Sequence, residues 1–142
     1  MKKLLSLSLI FTFIACGGDD DINLDNDITF LEKYDGFGYQ AGGIYIYFSN
    51  SATFIKSVET GGEADGNECQ EIQEDSNIRI VTNNSTSLLF EENYSDEDYP
   101  YVLTYECTVD ASGNTLTIKF DNDPNDVVTY TKTTVTYASL CD

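Results

Sequence analysis

Acidic side chains are the residues in this chain whose types and spacing could do chemistry. The 142-residue sequence has 25 Asp and Glu against 7 Lys and Arg, and it contains no His. Without His, a Ser-His-Asp or Cys-His catalytic unit and any His-bearing metal site are excluded. Neighbouring carboxylates could form the acid/base pair of a glycosidase, and they occur at Glu91-Glu92, Asp96-Glu97-Asp98 and Glu71/Glu74-Asp75. With so many acidic residues such neighbours arise by chance, so the sequence favours a non-enzymatic protein.

One acidic segment has the ligand spacing of a calcium loop. Oxygen ligands stand at alternate positions at Asp121, Asp123 and Asn125, as at the start of an EF-hand. The sixth position is Asp126 instead of Gly and the twelfth is Lys132 instead of Glu, so an EF-hand site is excluded. A polar hairpin turn is favoured over a loose surface calcium site. No cofactor is predicted, and the net charge of −18 repels phosphate backbones, so nucleic acid is not an expected partner.

The first 15 residues have the features of an export signal. Lys2 and Lys3 precede an uncharged stretch, Leu4 to Ala15, that would reach about 18 Å as a helix. This is short of the roughly 30 Å hydrocarbon core, so a removable signal peptide is favoured over a membrane span.

The end of this stretch resembles the lipobox of bacterial lipoproteins. Phe13-Ile14-Ala15-Cys16 is followed by two glycines and the acidic run Asp19-Asp20-Asp21, as in surface lipoproteins of Bacteroidetes-type bacteria. The resemblance implies that Cys16 carries lipid, that residues 16–28 form an acidic flexible tether, and that the protein is anchored in the outer membrane and surface-exposed. The alternative is an ordinary secretory signal with a chance Cys at its edge.

The sequence of the rest of the chain predicts one helical turn followed by short strands. Phe30, Leu31 and Tyr34 share a face of that turn, and the first strand is apolar on both faces, so we expect the turn to cover its outer face. Turn residues separate eight runs rich in β-branched and aromatic residues. These runs are Ile44–Ser49, Ala52–Glu59, Asn67–Gln73, Asn77–Asn83, Ser87–Asn93, Tyr101–Val109, Thr115–Asp121 and Val127–Tyr137.

Consecutive hairpins without helical crossovers predict an all-β, antiparallel, up-and-down eight-stranded barrel over residues 29–142. A β-sandwich is the alternative. The short helix, the Gly36-Phe37-Gly38-Tyr39 entry and the C-terminal Cys resemble lipocalin-like domains. The resemblance implies a membrane-anchored binding or accessory module with a small apolar ligand. The alternative is a structural lipoprotein with a filled barrel that contacts another envelope protein.

Three cysteines remain beside Cys16, and they allow three single pairings. Cys107 stands in an apolar row, where a free thiol behaves as a small hydrophobic residue. Cys69 has polar neighbours, and Cys141 lies on a C-terminal tail that would fray unless it is tied down. The sequence thus favours a Cys69–Cys141 disulfide, similar to the lipocalin habit of pinning the C-terminal tail to a strand. Three free thiols, or a pairing of Cys107, are the alternatives.

Overall fold

The computed structural model describes residues 28–61, 66–95, 100–121 and 123–141. The predicted signal peptide, the lipidation residue Cys16 and the tether up to residue 27 lie outside the described residues. Within these ranges the chain forms two four-residue helices and nine strands. They are α1 Phe30–Lys33, β1 Gly38–Ala41, β2 Ile44–Phe48, β3 Thr53–Glu59, β4 Glu68–Gln73, β5 Ile78–Asn83, β6 Ser87–Tyr94, β7 Tyr101–Val109, β8 Thr115–Phe120, β9 Val127–Thr133 and α2 Ala138–Cys141.

All nine strands belong to one antiparallel sheet that curls into a nearly closed barrel. The order is β4-β3-β2-β1-β9-β8-β7-β6-β5, so neighbouring strands are consecutive in sequence except where β1 pairs with β9. That pairing sets Gly38 opposite Thr133 and Gln40 opposite Thr131. The alternative of two packed sheets is therefore wrong.

The two end strands, β4 and β5, meet in an unusual way. Both run in the same direction, because an even number of antiparallel steps separates them. Only residues 74–77 connect them, and this connection is a tight turn and not an extended crossover, since the backbone N–H of Asp75 donates to the carbonyl oxygen of Ile78 at 2.9 Å. They cannot lie side by side in register, so β5 begins near the point where β4 ends. We call residues 73–78 the seam.

Side chains of the seam hold the start of β5. The Glu74 carboxylate accepts a hydrogen bond from the backbone N–H of Ile80 at 2.8 Å. Asp75 accepts from the N–H of Ile78, also at 2.8 Å. In a continuous sheet, these two backbone N–H groups would donate to a neighbouring strand. Here the side chains of Glu74 and Asp75 accept from them instead, so the break between β4 and β5 leaves neither donor unsatisfied.

The structure has nine strands where the sequence predicts eight. The additional strand, β1, joins β2 through Gly42 and Gly43, whose φ angles of 55° and 89° suit a tight turn. The predicted last run extends too far, since β9 ends at Thr133, opposite the first residue of β1. The chain then leaves the sheet and crosses the outer surface of the barrel as residues 134–141, which we call the strap.

Helix α1 closes one end of the barrel. Thr29 and Glu32 form a capping box, and the backbone N–H of Leu31 donates to Asn83 Oδ1 at 3.1 Å. Phe30 is fully buried, with its ring centroid 5.1 Å from that of Phe48 in the barrel core. The expectation that this turn covers the outer face of β2 is therefore wrong, because its apolar face packs into the end of the barrel.

The strap covers the outer face of β2 and β3 instead. Tyr47 is 7% exposed, and its ring centroid lies 5.9 Å from that of Tyr137. Lys56 Nζ lies 4.8 Å from the Tyr137 ring centroid. Asn67 Nδ2 donates to the carbonyl oxygen of Leu140 at 2.8 Å. A second, smaller apolar layer thus lies outside the barrel wall.

A disulfide between Cys69 on β4 and Cys141 in α2 fixes the end of the strap. The predicted pairing is confirmed, and Cys107 is a free, fully buried cysteine in the barrel core. Burial raises the pKa of the Cys107 thiol to about 12, with a smaller contribution from Glu106, so at neutral pH it stays protonated.

Candidate functional site

The barrel interior contains an apolar cavity of about 170 Å³. Its wall consists of inward-facing aliphatic and aromatic side chains with a single small residue, Ser57, which stands between Ile46 on β2 and Gln70 on β4. A dry cavity of about 150 Å³ is large enough to hold benzene. The lining residues are Ile46, Ile55, Ser57, Ile72, Phe90, Tyr105, Ile118, Phe120 and Tyr130.

A larger hollow of about 540 Å³ lies beside the cavity and adjoins the seam. We call it the mouth. Three side chains, Ile72, Phe90 and Tyr105, line both spaces, so the cavity and the mouth share a wall. The residues around the mouth come from β4, β5, β6 and β7. They are Gln70, Glu71, Ile72, Ile78, Phe90, Glu92, Tyr94 and Tyr105.

Aromatic rings lie in and around the wall between cavity and mouth, to which Phe90 and Tyr105 both belong. Phe90 and Tyr105 are stacked, with centroids 4.6 Å apart and planes 4° from parallel. Tyr94 and Tyr101 form a second stacked pair at 4.6 Å and 7°. Phe120 meets Tyr105 edge-on at 5.5 Å. This arrangement offers flat apolar surfaces to a planar or apolar ligand.

Glu92 places a carboxylate among these rings. The Tyr105 hydroxyl donates to Glu92 Oε2 at 3.1 Å. Burial, and then the nearby Glu92 charge, raise the pKa of Tyr105, while the hydrogen bond to Glu92 raises the pKa of Tyr94. Both phenols therefore stay neutral at physiological pH and remain hydrogen-bond donors to the carboxylate.

The candidate acid pair Glu91-Glu92 does not come together. The two residues are adjacent in a strand, so their side chains point to opposite faces. Glu91 lies on the outer face and pairs with Arg79 at 2.7 Å. Glu92 faces inward with Leu88 and Phe90. Sequence alternation could have revealed Glu92 as a charged residue on the inward face of β6, because its position shares the parity of these two apolar residues.

The other acidic candidates have structural partners or lie elsewhere. Glu71 pairs with Lys56 Nζ at 2.8 Å on the outer face. Glu74 and Asp75 accept hydrogen bonds from backbone N–H groups at the start of β5, as described above. The run Asp96-Glu97-Asp98 lies outside the described residues. The described carboxylates thus form no acid/base pair of the kind considered from the sequence.

The carboxylates of the calcium candidate belong to the β8–β9 turn. Asp121 Oδ1 accepts a hydrogen bond from the Thr104 N–H at 2.9 Å. Asp123 Oδ1 accepts from the backbone N–H and the side-chain amide of Asn125, at 2.8 and 3.0 Å. In the part of the chain that the structure describes, no group of three or more His, Cys, Asp or Glu side chains is placed to hold a metal ion.

Neither described helix could cross a membrane, since each has four residues. Comparison with protein-family models, with curated protein sequences and with solved structures finds no match to this chain.

Proposed function

We propose that this chain is an outer-membrane lipoprotein, anchored through Cys16, whose lipocalin-like barrel binds a small apolar molecule. The observation that carries the proposal is the apolar cavity of about 170 Å³ that shares a wall with the mouth. Ligand sites are concave, mostly apolar and equipped with a few polar groups, and this pair of spaces has those properties.

The architecture supports a lipocalin-like interpretation. A short helix closes one end of an antiparallel up-and-down barrel, and a disulfide pins the C-terminal strap to a strand. Because β5 begins near the end of β4, these two strands together occupy one interrupted position. We infer that the nine strands fill about eight positions around the barrel, a number whose interior suits one small ligand.

The alternative of an interaction protein with a filled barrel is less favoured, because the interior is not completely filled. Its inner wall leaves a space of benzene size at Ser57. An accessible, concave space with a predominantly apolar lining is typical of a ligand site, so it favours binding over a filled barrel.

Occupation of the cavity can be tested with 2-phenylethanol as a neutral probe and calorimetry as the readout. Ser57→Leu places an apolar side chain in the cavity and is expected to abolish binding. Thr129→Leu adds the same group on the exposed outer side of β9 and should bind like the original protein. Near-UV circular dichroism verifies that both variants are folded. Equal binding by Ser57→Leu and the unmodified domain, or absence of binding to the unmodified domain by this alcohol and by its charged analogues described below, would refute a ligand cavity.

The anchor is tested separately by Cys16→Ser. Loss of the lipid attachment point is expected to release the protein from washed membranes into the soluble fraction. The cavity variant Ser57→Leu should remain in the membrane fraction and serves as the control. Retention of Cys16→Ser in the membrane pellet would contradict the anchor.

A further inference from the structure

We propose that the ligand is an organic cation, with a single aromatic ring for the cavity and an ammonium group that binds Glu92 in the mouth. This inference rests on the proposed function, because it names the chemical class that the same cavity and mouth would accept. It is carried by the Glu92 carboxylate, which lines the mouth among the aromatic side chains of Phe90, Tyr94 and Tyr105, two of which also line the ring-sized cavity.

Glu92 occupies a distinctive position for a charged residue. Its direct neighbours across the sheet are Ile78 on β5 and Leu103 on β7. Ion pairs in the described chain use Glu71, Glu91 and Glu106. Among the described residues, no Lys or Arg lies within ion-pair distance of Glu92. The Tyr105 hydroxyl solvates the carboxylate but leaves its negative charge uncompensated.

A cationic head group would meet two kinds of attraction in the mouth. It would pair with the Glu92 carboxylate, and it would contact the faces of aromatic rings, which carry partial negative charge. Phe90, Tyr94 and Tyr105 all border the mouth and supply these rings. An anionic head group would instead be repelled by Glu92.

The strand ends near the mouth favour cations further. Glu68, two residues before Gln70 on β4, stands directly opposite Glu59 on β3. Like charges in this position are mutually repulsive, and a cation nearby relieves the repulsion. The net charge of −18 raises the concentration of small cations near the protein.

The two spaces together limit the ligand's size. The cavity of about 170 Å³ holds one aromatic ring, as judged from the benzene-sized cavity above. Phe90 and Tyr105 border both spaces, so a ring in the cavity and an ammonium group on a short chain would contact the same stacked pair. Phenethylammonium has these dimensions and is a suitable probe.

The experiment compares three probes that share one ring and differ in head-group charge: phenethylammonium, 2-phenylethanol and 3-phenylpropanoate. Calorimetry at low ionic strength measures their affinities for the unmodified domain. We expect phenethylammonium to bind at least about tenfold more tightly than the alcohol, and the carboxylate to bind most weakly. This ranking tests the proposal without any variant.

Two variants then locate the effect. Glu92→Gln is expected to weaken phenethylammonium binding by about tenfold or more and to leave alcohol binding nearly unchanged, since it removes the charge from the mouth. Glu91→Gln is the matched control, because it removes the same charge one residue away, on the outer face beside Arg79. It should change no affinity by more than about twofold, because the intervening wall and solvent screen the charge.

Each outcome has a distinct meaning. If the alcohol binds and the ammonium binds no more tightly, the cation preference is overturned while the proposed function stands. If none of the probes binds, the proposed function itself fails. If Glu91→Gln and Glu92→Gln weaken ammonium binding equally, the preference comes from net charge and the site at Glu92 is refuted.

Discussion

Removal of the Cys69–Cys141 disulfide is expected to lower the free energy of unfolding by up to about 4 kcal/mol. The two cysteines are 72 positions apart, so the bond closes most of the folded domain into one loop. In the chain-entropy model, a loop of this length removes roughly 15 cal/mol/K from the unfolded ensemble, which corresponds to about 4 kcal/mol at 25 °C. The double variant Cys69→Ser/Cys141→Ser realises this change.

The folded state should survive the change at room temperature. Tyr137 still packs against Tyr47, and Asn67 still bonds to the carbonyl of Leu140, so the strap keeps non-covalent contacts. The midpoint of thermal unfolding is expected to fall on the order of 15 °C for a domain of this size.

Urea unfolding followed by circular dichroism measures the effect on the oxidised protein, on the protein with reductant and on the double variant. The reduced protein and the double variant should have the same free energy of unfolding. Adding reductant should not change that free energy for the double variant. Because Cys107 is fully buried, thiol titration of the native oxidised protein should detect no reactive group. A double variant within about 1 kcal/mol of the oxidised protein would refute the loop-closure reasoning.

Three further predictions concern individual side chains. Gly38→Ala is expected to lower the free energy of unfolding by about 1–3 kcal/mol, because the new Cβ would lie 2.5 Å from Cε1 of buried Tyr47; an unchanged urea midpoint would contradict this. Tyr47→Phe should leave the free energy of unfolding unchanged or raise it by about 1 kcal/mol in the same urea assay, because Tyr47 Oη is buried without a hydrogen-bond partner among the described residues. A clear decrease in the free energy of unfolding would mean that this hydroxyl does have a hydrogen-bond partner. Burial raises the pKa of Tyr39 from its ordinary value of 10.0 to about 12, so its contribution to stability is complete below pH 10 and is lost as pH rises towards 12. Circular dichroism during alkaline titration should show unfolding over that range, and Tyr39→Phe should move the midpoint to higher pH; an unmoved midpoint would contradict the assignment.

Local alternation was sufficient to predict most strands. Thr115–Phe120 and Leu103–Val109 alternate apolar and polar residues, and that pattern depends only on near neighbours. Strand β1 lacks such a signal, because its four residues include Gly38 and Gln40. It is a strand because β2 and β9 supply hydrogen-bonding partners on both sides, and β9 lies about 90 residues later in the chain.

Covering of the outer face could be predicted only in part. Tyr45 and Tyr47 signalled that something must cover the outer side of β2, but the covering residue, Tyr137, is distant in sequence. The position of the mouth was likewise hidden, since it depends on β4 and β5 meeting at the seam. No local pattern records where two end strands of a curled sheet meet.

The sheet order also constrains how the chain folds. Among the described strands, β1 to β4 form one meander and β5 to β9 form another, each built from hairpins between consecutive strands. Such hairpins form on a microsecond timescale, whereas the β1–β9 ladder must join distant segments and is expected to form more slowly. The disulfide links the same two meanders, from β4 to the residues after β9. Once this disulfide has formed, the residues after β9 stay close to β4 even in the unfolded chain. The β1–β9 ladder then has to form between segments that are already held near one another.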